Sequence, residues 1–246
     1  MDNILHRPIT YHPHLHKKGA CWSHSKWLMA CLVLYTLVST DTHAIVEGGP
    51  NDYYDPDPWT QQYLRAVDSH HLVPAEEQVI KGYTTSSSGA KYRNIWEEID
   101  FTLRWFPNHP RGLQFMSRWL PRYPHPPDKG VEYYFQKAIE YKPKPEPRPV
   151  DATVLMLYAI HLHKKKDYKK AREQYESALS IAPDNSEIHY NLGLLLVAVK
   201  DYPAALKHAQ TAYSLGFPLP GLKNKLKKVQ AWKDIPKKQQ EPQQKP

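Results

Sequence analysis

The densest group of residues able to move protons is Asp68, His70, His71, Glu76 and Glu77, two imidazoles flanked by carboxylates. Such groups do general acid–base work when a carboxylate orients an imidazole toward a substrate. On a helix, however, His70 and His71 fall on different faces, and neither a triad nor a metal-ligand spacing results. His12, His14 and His16 alternate, which would set three imidazoles on one side of an extended chain and gather a metal. They lie in a segment read below as discarded on export. Asp52, Asp55 and Asp57 invite a calcium reading, but the spacing of a calcium loop and its sixth-position glycine are missing. They read as a solvated acidic turn, with Asp55 and Asp57 placed to cap a helix starting near Trp59. The serines between Gly82 and Ala90 have neither a G-x-S-x-G elbow nor a GK[ST] ending, so that stretch is a linker. Cys21 and Cys31 are the two cysteines, which excludes thiol chemistry from residues 45–246. The sequence thus predicts no catalytic, cofactor or metal site, no bound cofactor and no enzyme.

What these residues sit on is helical. Glycine is scarce, and long stretches are rich in Ala, Leu, Lys, Glu and Tyr, which favours helix over sheet. The 23 prolines cluster at a few places that mark element boundaries. At the N-terminus, Arg7, Lys17, Lys18 and Lys26 precede an apolar run from Trp27 to Val38, followed by Thr42-His43-Ala44. That order is an export signal, residues 1–44, with cleavage expected after Ala44. The run is shorter than the roughly 20 residues that span a bilayer; an uncut anchor is the alternative. Cys31 precedes most of the apolar run, so lipidation is not expected. Residues 45–68 read as an irregular lead-in that ends in the start of the first helix.

Internal repetition organises the rest, residues 69–219. Aligned at a period of 34, the unit 152–185 carries Leu155, Tyr158, Ala159 and Leu162 on a first helix and Ala171, Tyr175, Ala178 and Pro183 on a second. The unit 186–219 repeats this with Leu192, Gly193, Leu196, Ala205 and Ala212. Small residues recur where two helix backbones must approach, and larger ones fill the seam. This is the tetratricopeptide pattern, and it implies an all-α fold, a right-handed α-solenoid of antiparallel helix pairs. Residues 110–146 and 69–109 read as degenerate units, with Leu113, Met116, Ser117, Leu120, Phe135 and Ala138 in the first of them and Trp96, Ile99, Leu103 and Phe106 in the second. Residues 220–234 read as a capping helix with a lysine-rich outer face, and residues 235–246 as a disordered tail.

Charge adds an exclusion. Residues 45–220 hold 21 basic and 21 acidic side chains, whereas residues 221–246 hold 8 lysines against 2 acids. The net charge of +8 is therefore partly local to the tail, and no nucleic-acid groove through the repeats is expected. Membrane contact is confined to the N-terminal segment or the basic tail, and self-association through the end helices remains open.

Gly-Pro-Asn-Asp-Tyr from Gly49, Ile99 to Arg104 and Phe106 to Arg111 resemble a group of exported proteobacterial tetratricopeptide-repeat proteins of unassigned function. The resemblance spans most of residues 48–220 and implies a periplasmic location, with inner-membrane anchoring as the alternative. It also implies work through the concave face, where a protein or peptide partner would meet Arg111, Gln114, Arg118 and Arg122, then Thr153, Met156, Ile160, His163 and Lys164, then Glu187, Tyr190, Leu194 and Val197. That groove is basic at one end and apolar toward the other, which suits an extended peptide or a helix with an acidic end. The expected role is an adaptor or scaffold in the cell envelope, and the alternative is a membrane-tethered accessory subunit.

Overall fold

The computed structural model describes residues 50–80, 89–122 and 129–234. The export signal, its histidines and cysteines, the linker from Gly82 to Ser88 and the tail 235–246 lie outside these. Among the described residues there is no strand, and no helix is long and apolar enough to cross a membrane.

The helices are α1 (Pro58–Val67), a π-helical turn (Asp68–Leu72), α2 (Val73–Ile80), α3 (Gly89–Trp105), α4 (Pro110–Trp119) with a 3₁₀ turn (Leu120–Arg122), α5 (Val131–Glu140), α6 (Asp151–Lys164), α7 (Tyr168–Ile181), α8 (Ser186–Ala198), α9 (Tyr202–Ser214) and α10 (Gly221–Lys228). Polar side chains start half of these ten α-helices, as the proline and polar boundaries predict. Asp57 accepts from the Thr60 amide at 3.0 Å, Asn185 from those of Glu187 and Ile188 at 3.0 and 3.1 Å, and Asp167 and Asp201 from those of Lys170 and Ala204. Each satisfies amides that have no partner within their own helix.

Helix α6 packs on α7 and α8 on α9, with α7 joining the two pairs; α4 packs on α5 and on α6. The result is an α-solenoid of adjacent helix pairs. Ala159, Ala171, Ala178, Ala205 and Ala212 are fully buried at the approaches where the repeat requires small residues. The core is continuous from Ala152 to Leu226, with a neighbouring cluster around Ile95, Ile99, Leu113, Met116 and Phe135. The turns of the two clear units match in detail. Lys166 and Lys200, 34 residues apart, both hold φ at 65°, and the amides after them reach back to Leu162 and Leu196 at 3.0 and 2.9 Å. Such left-handed closures satisfy the last carbonyls of a helix.

Three findings depart from the sequence reading. Helix α3 begins at Gly89, inside the expected linker, and α10 stops at Lys228 although the apolar and basic pattern runs on to Trp232. The acidic turn is not solvated throughout. Asp52 is buried and accepts from Arg148 Nη1 at 2.6 Å and Asn108 Nδ2 at 2.7 Å. With Asn51 N donating to the Trp105 carbonyl at 2.7 Å and Tyr141 Oη to that of Pro50 at 2.9 Å, the lead-in is strapped to the array.

Candidate functional site

The proton-moving residues do not come together as a reaction centre. Asp68 does not meet His70 or His71; its Oδ1 lies 2.8 Å from Nε2 of the buried His109. Nδ1 of that ring accepts from the Gly112 amide at 3.1 Å, so Nε2 carries the hydrogen and donates to Asp68. The ring caps α4 and has no lone pair left for a substrate. His71 bonds Glu98 and stacks on Phe101 with ring centroids 4.0 Å apart. A second constellation, which sequence reasoning missed, joins Ser117 Oγ to His161 Nδ1 at 3.0 Å and His161 Nε2 to Glu132 at 3.5 Å. Its members have the residue types of a nucleophile, a base and an orienting acid. Ser117 and His161 are only 9% and 3% exposed, and Ser117 stands in the last turn of α4, where the neighbouring amides are committed to the helix and cannot form an oxyanion hole. Burial pushes the His161 imidazole below its usual range despite Glu132, so it stays neutral and ties α4 to α6. Among the described residues no group of three or more His, Cys, Asp or Glu is placed to hold a metal.

The groove residues divide into three groups. Arg111 is exposed but engaged, with its guanidinium clamped on the Glu76 carboxylate through Nε at 3.0 Å and through Nη2. Met156 and Tyr190 are buried, Met156 within the core. Tyr190 packs against Phe217 at 4.2 Å between centroids, and its Oη abuts Gly221, where an added Cβ would lie 2.6 Å away. The chain itself thus covers this part of α8. Leu194 and Val197 are partly buried against the same core, Glu187 and Gln114 are exposed, and Thr153 and Ile160 are half-buried.

The third group is a cluster of cations. Arg118 and Arg122 end α4 and its 3₁₀ turn, and Arg122 donates to the Arg118 carbonyl. Both act on Lys164, at the end of α6, whose ammonium is held below its usual range first by burial and then by the two guanidiniums. His163 is also lowered, first by burial, then by Lys164 and Lys225. Among the described residues no carboxylate lies within ion-pair distance of Arg118, Arg122, Lys164 or Lys225. Lys225 was not among the residues expected to line the groove. Its place in a run of lysines reads as a solvated outer face, and only the packing of α10 on α8 brings it toward His163.

A family profile described as TPR repeat matches residues 161–200, from the last turn of α6 through α7 and α8. The chain therefore contains tetratricopeptide-repeat structure. Comparison with curated proteins gave no match. Repeats of this kind generally serve as scaffolds that hold other proteins.

Proposed function

We propose that the protein is an adaptor of the cell envelope, exported to the periplasm, that holds a partner by an extended or helical segment with an acidic end. The observation that carries the reading is the group of Arg118, Arg122 and Lys164. Three like charges gathered at adjacent helix ends without a carboxylate disfavour one another, which adds to the burial that holds the Lys164 ammonium below its usual range. An anionic partner group relieves that repulsion, and the planar guanidiniums suit a carboxylate. Ile160, further along α6, supplies a less polar continuation for the rest of the segment, while Thr153 is engaged by Tyr54 of the lead-in.

The test is to recover the protein from a periplasmic extract, determine its N-terminal sequence, cross-link it and identify what co-purifies. A start at Ile45, with a partner that is lost on Arg118→Glu and kept on Lys169→Glu, supports the adaptor. An uncut N-terminus in the membrane fraction, with binding indifferent to Arg118, would replace it with a tethered subunit that works through another surface.

A further inference from the structure

A pocket of about 200 Å³ lies at the opposite end of α6 from the cationic cluster, where the C-termini of α5 and α7 meet the proline-rich connection 141–150. Asp151 and Lys164 are 13 residues apart on one helix, which separates pocket and cluster by about 20 Å. Ile139, Val154, Leu155 and Ile181 give the pocket its apolar body. Its polar lining is nearly all spent. Asn108 accepts from the Tyr53 amide at 3.0 Å and donates to Asp52 at 2.7 Å. The Tyr141 hydroxyl is given to the Pro50 carbonyl, and the Asp151 carboxylate to Arg148 at 2.7 and 2.8 Å. What remains is Lys142 and Lys144, both exposed, and among the described residues neither ammonium has a bonded partner.

We infer that this pocket binds a small amphiphilic anion, an apolar group of about the size of one aromatic ring or short branched chain that carries a carboxylate. Size follows from volume, since a cavity of roughly 150 Å³ takes a benzene ring. The charge follows from elimination. The Asn108, Tyr141 and Asp151 side chains are already engaged, and an apolar ligand without charge would leave the two rim lysines unused. The carboxylate stays at the rim, where lysine stems cover apolar surface while their ammonium groups remain wet.

The probe is 3-phenylpropionate, titrated into the isotope-labelled full chain and followed by amide chemical shifts, with 3-phenylpropionamide as its neutral counterpart. The expected result is saturable shifts centred on Ile139, Lys142, Leu155 and Ile181, with a Kd on the order of 0.1–1 mM. Binding should weaken about tenfold for the amide and for the Lys142→Ala, Lys144→Ala double variant, and vanish on Leu155→Trp, which fills the pocket. The two lysines are on the surface, so the double variant retains its fold whatever Leu155→Trp does. Equal binding of acid and amide overturns the inference. So do shifts centred on Arg118 and Lys164 that persist in the double variant, since they mark attraction to the groove instead.

Discussion

Arg148 donates to Asp52 across 96 residues of chain, through Nη1 to Oδ2 at 2.6 Å, while the same guanidinium holds Asp151 at 2.8 Å. The bond closes the lead-in over α3 and the start of α6. Its two partners are not equally dependent on it. Without Asp52, Arg148 keeps Asp151; without Arg148, Asp52 is a buried carboxylate left with Asn108 and the Tyr54 amide.

Arg148→Met is therefore expected to cost more than Asp52→Asn. About 3 kcal/mol is expected for the first and about 1–2 kcal/mol for the second. Urea unfolding at neutral pH reads both, and equal losses would mean that the clasp is held chiefly by Asn108.

Acid should loosen the second clear repeat before the clasp. His189 Nδ1 lies 2.9 Å from His208 Nδ1, with His189 Nε2 donating to the Pro183 carbonyl at 2.8 Å, so one hydrogen serves both facing nitrogens. Burial, then His189, pushes the His208 imidazole down to about 4. A base with a folded value below its unfolded one binds fewer protons when folded. Its penalty is absent above about pH 6.5 and grows as pH falls toward the folded value, reaching roughly 2 kcal/mol at pH 5. His161 and His163 shift in the same direction. For Asp52, burial alone would raise the carboxyl, but Arg148 and Asn108 outweigh it and the net shift is downward. Its stabilisation is accordingly lost only as pH falls below about 4. Stability measured from pH 7.5 to 5 should decline, and His208→Gln should flatten that slope. An unchanged slope would sink the assignment.

Lys166 and Lys200 sit at φ 65°, where a side chain costs energy and glycine does not. Lys166→Gly and Lys200→Gly should each raise stability by about 0.5–1 kcal/mol. Lys169→Gly, in the first turn of α7, removes the same charge at a helical φ and should not raise it. Thermal unfolding of the three variants separates the local conformational effect from loss of a lysine charge.

Gly193 admits the cap. A Cβ there would lie 2.5 Å from Leu222 Cδ2, and Leu222 is fully buried. Gly193→Ala forces that methyl aside at about 1 kcal/mol, and Gly193→Val should displace α10 at more than twice that cost. Limited proteolysis should then cut near Lys225 in the valine variant while α6 and α7 stay protected.

The parts of this fold legible in sequence are those whose constraint repeats nearby. Ala171 and Ala205, or Ala178 and Ala212, recur at 34 residues because each helix pair meets the same close approach. The lead-in was not legible in that way. Asp52 looks like any turn aspartate until Arg148 is brought to it, and nothing near either residue announces a partner 96 positions away. For the residues expected to line a groove, exposure was legible in part. Arg118, Arg122 and Lys164 are exposed as expected, but Glu76 engages Arg111, and Phe217 and Gly221 close over Tyr190, through contacts between separate helices that a repeat pattern does not encode.

Closure of α8 by Phe217 and α10 sets a length. Exposed groove cations of the first helices lie on α4 and α6, which are neighbours, and packed helices stand 8–10 Å apart. Two of them offer about 20 Å of track, which an extended chain covers in about six residues. On the proposed reading, a partner laid along these two helices would be read as a brief word, and a longer segment would leave them where Phe217 stands.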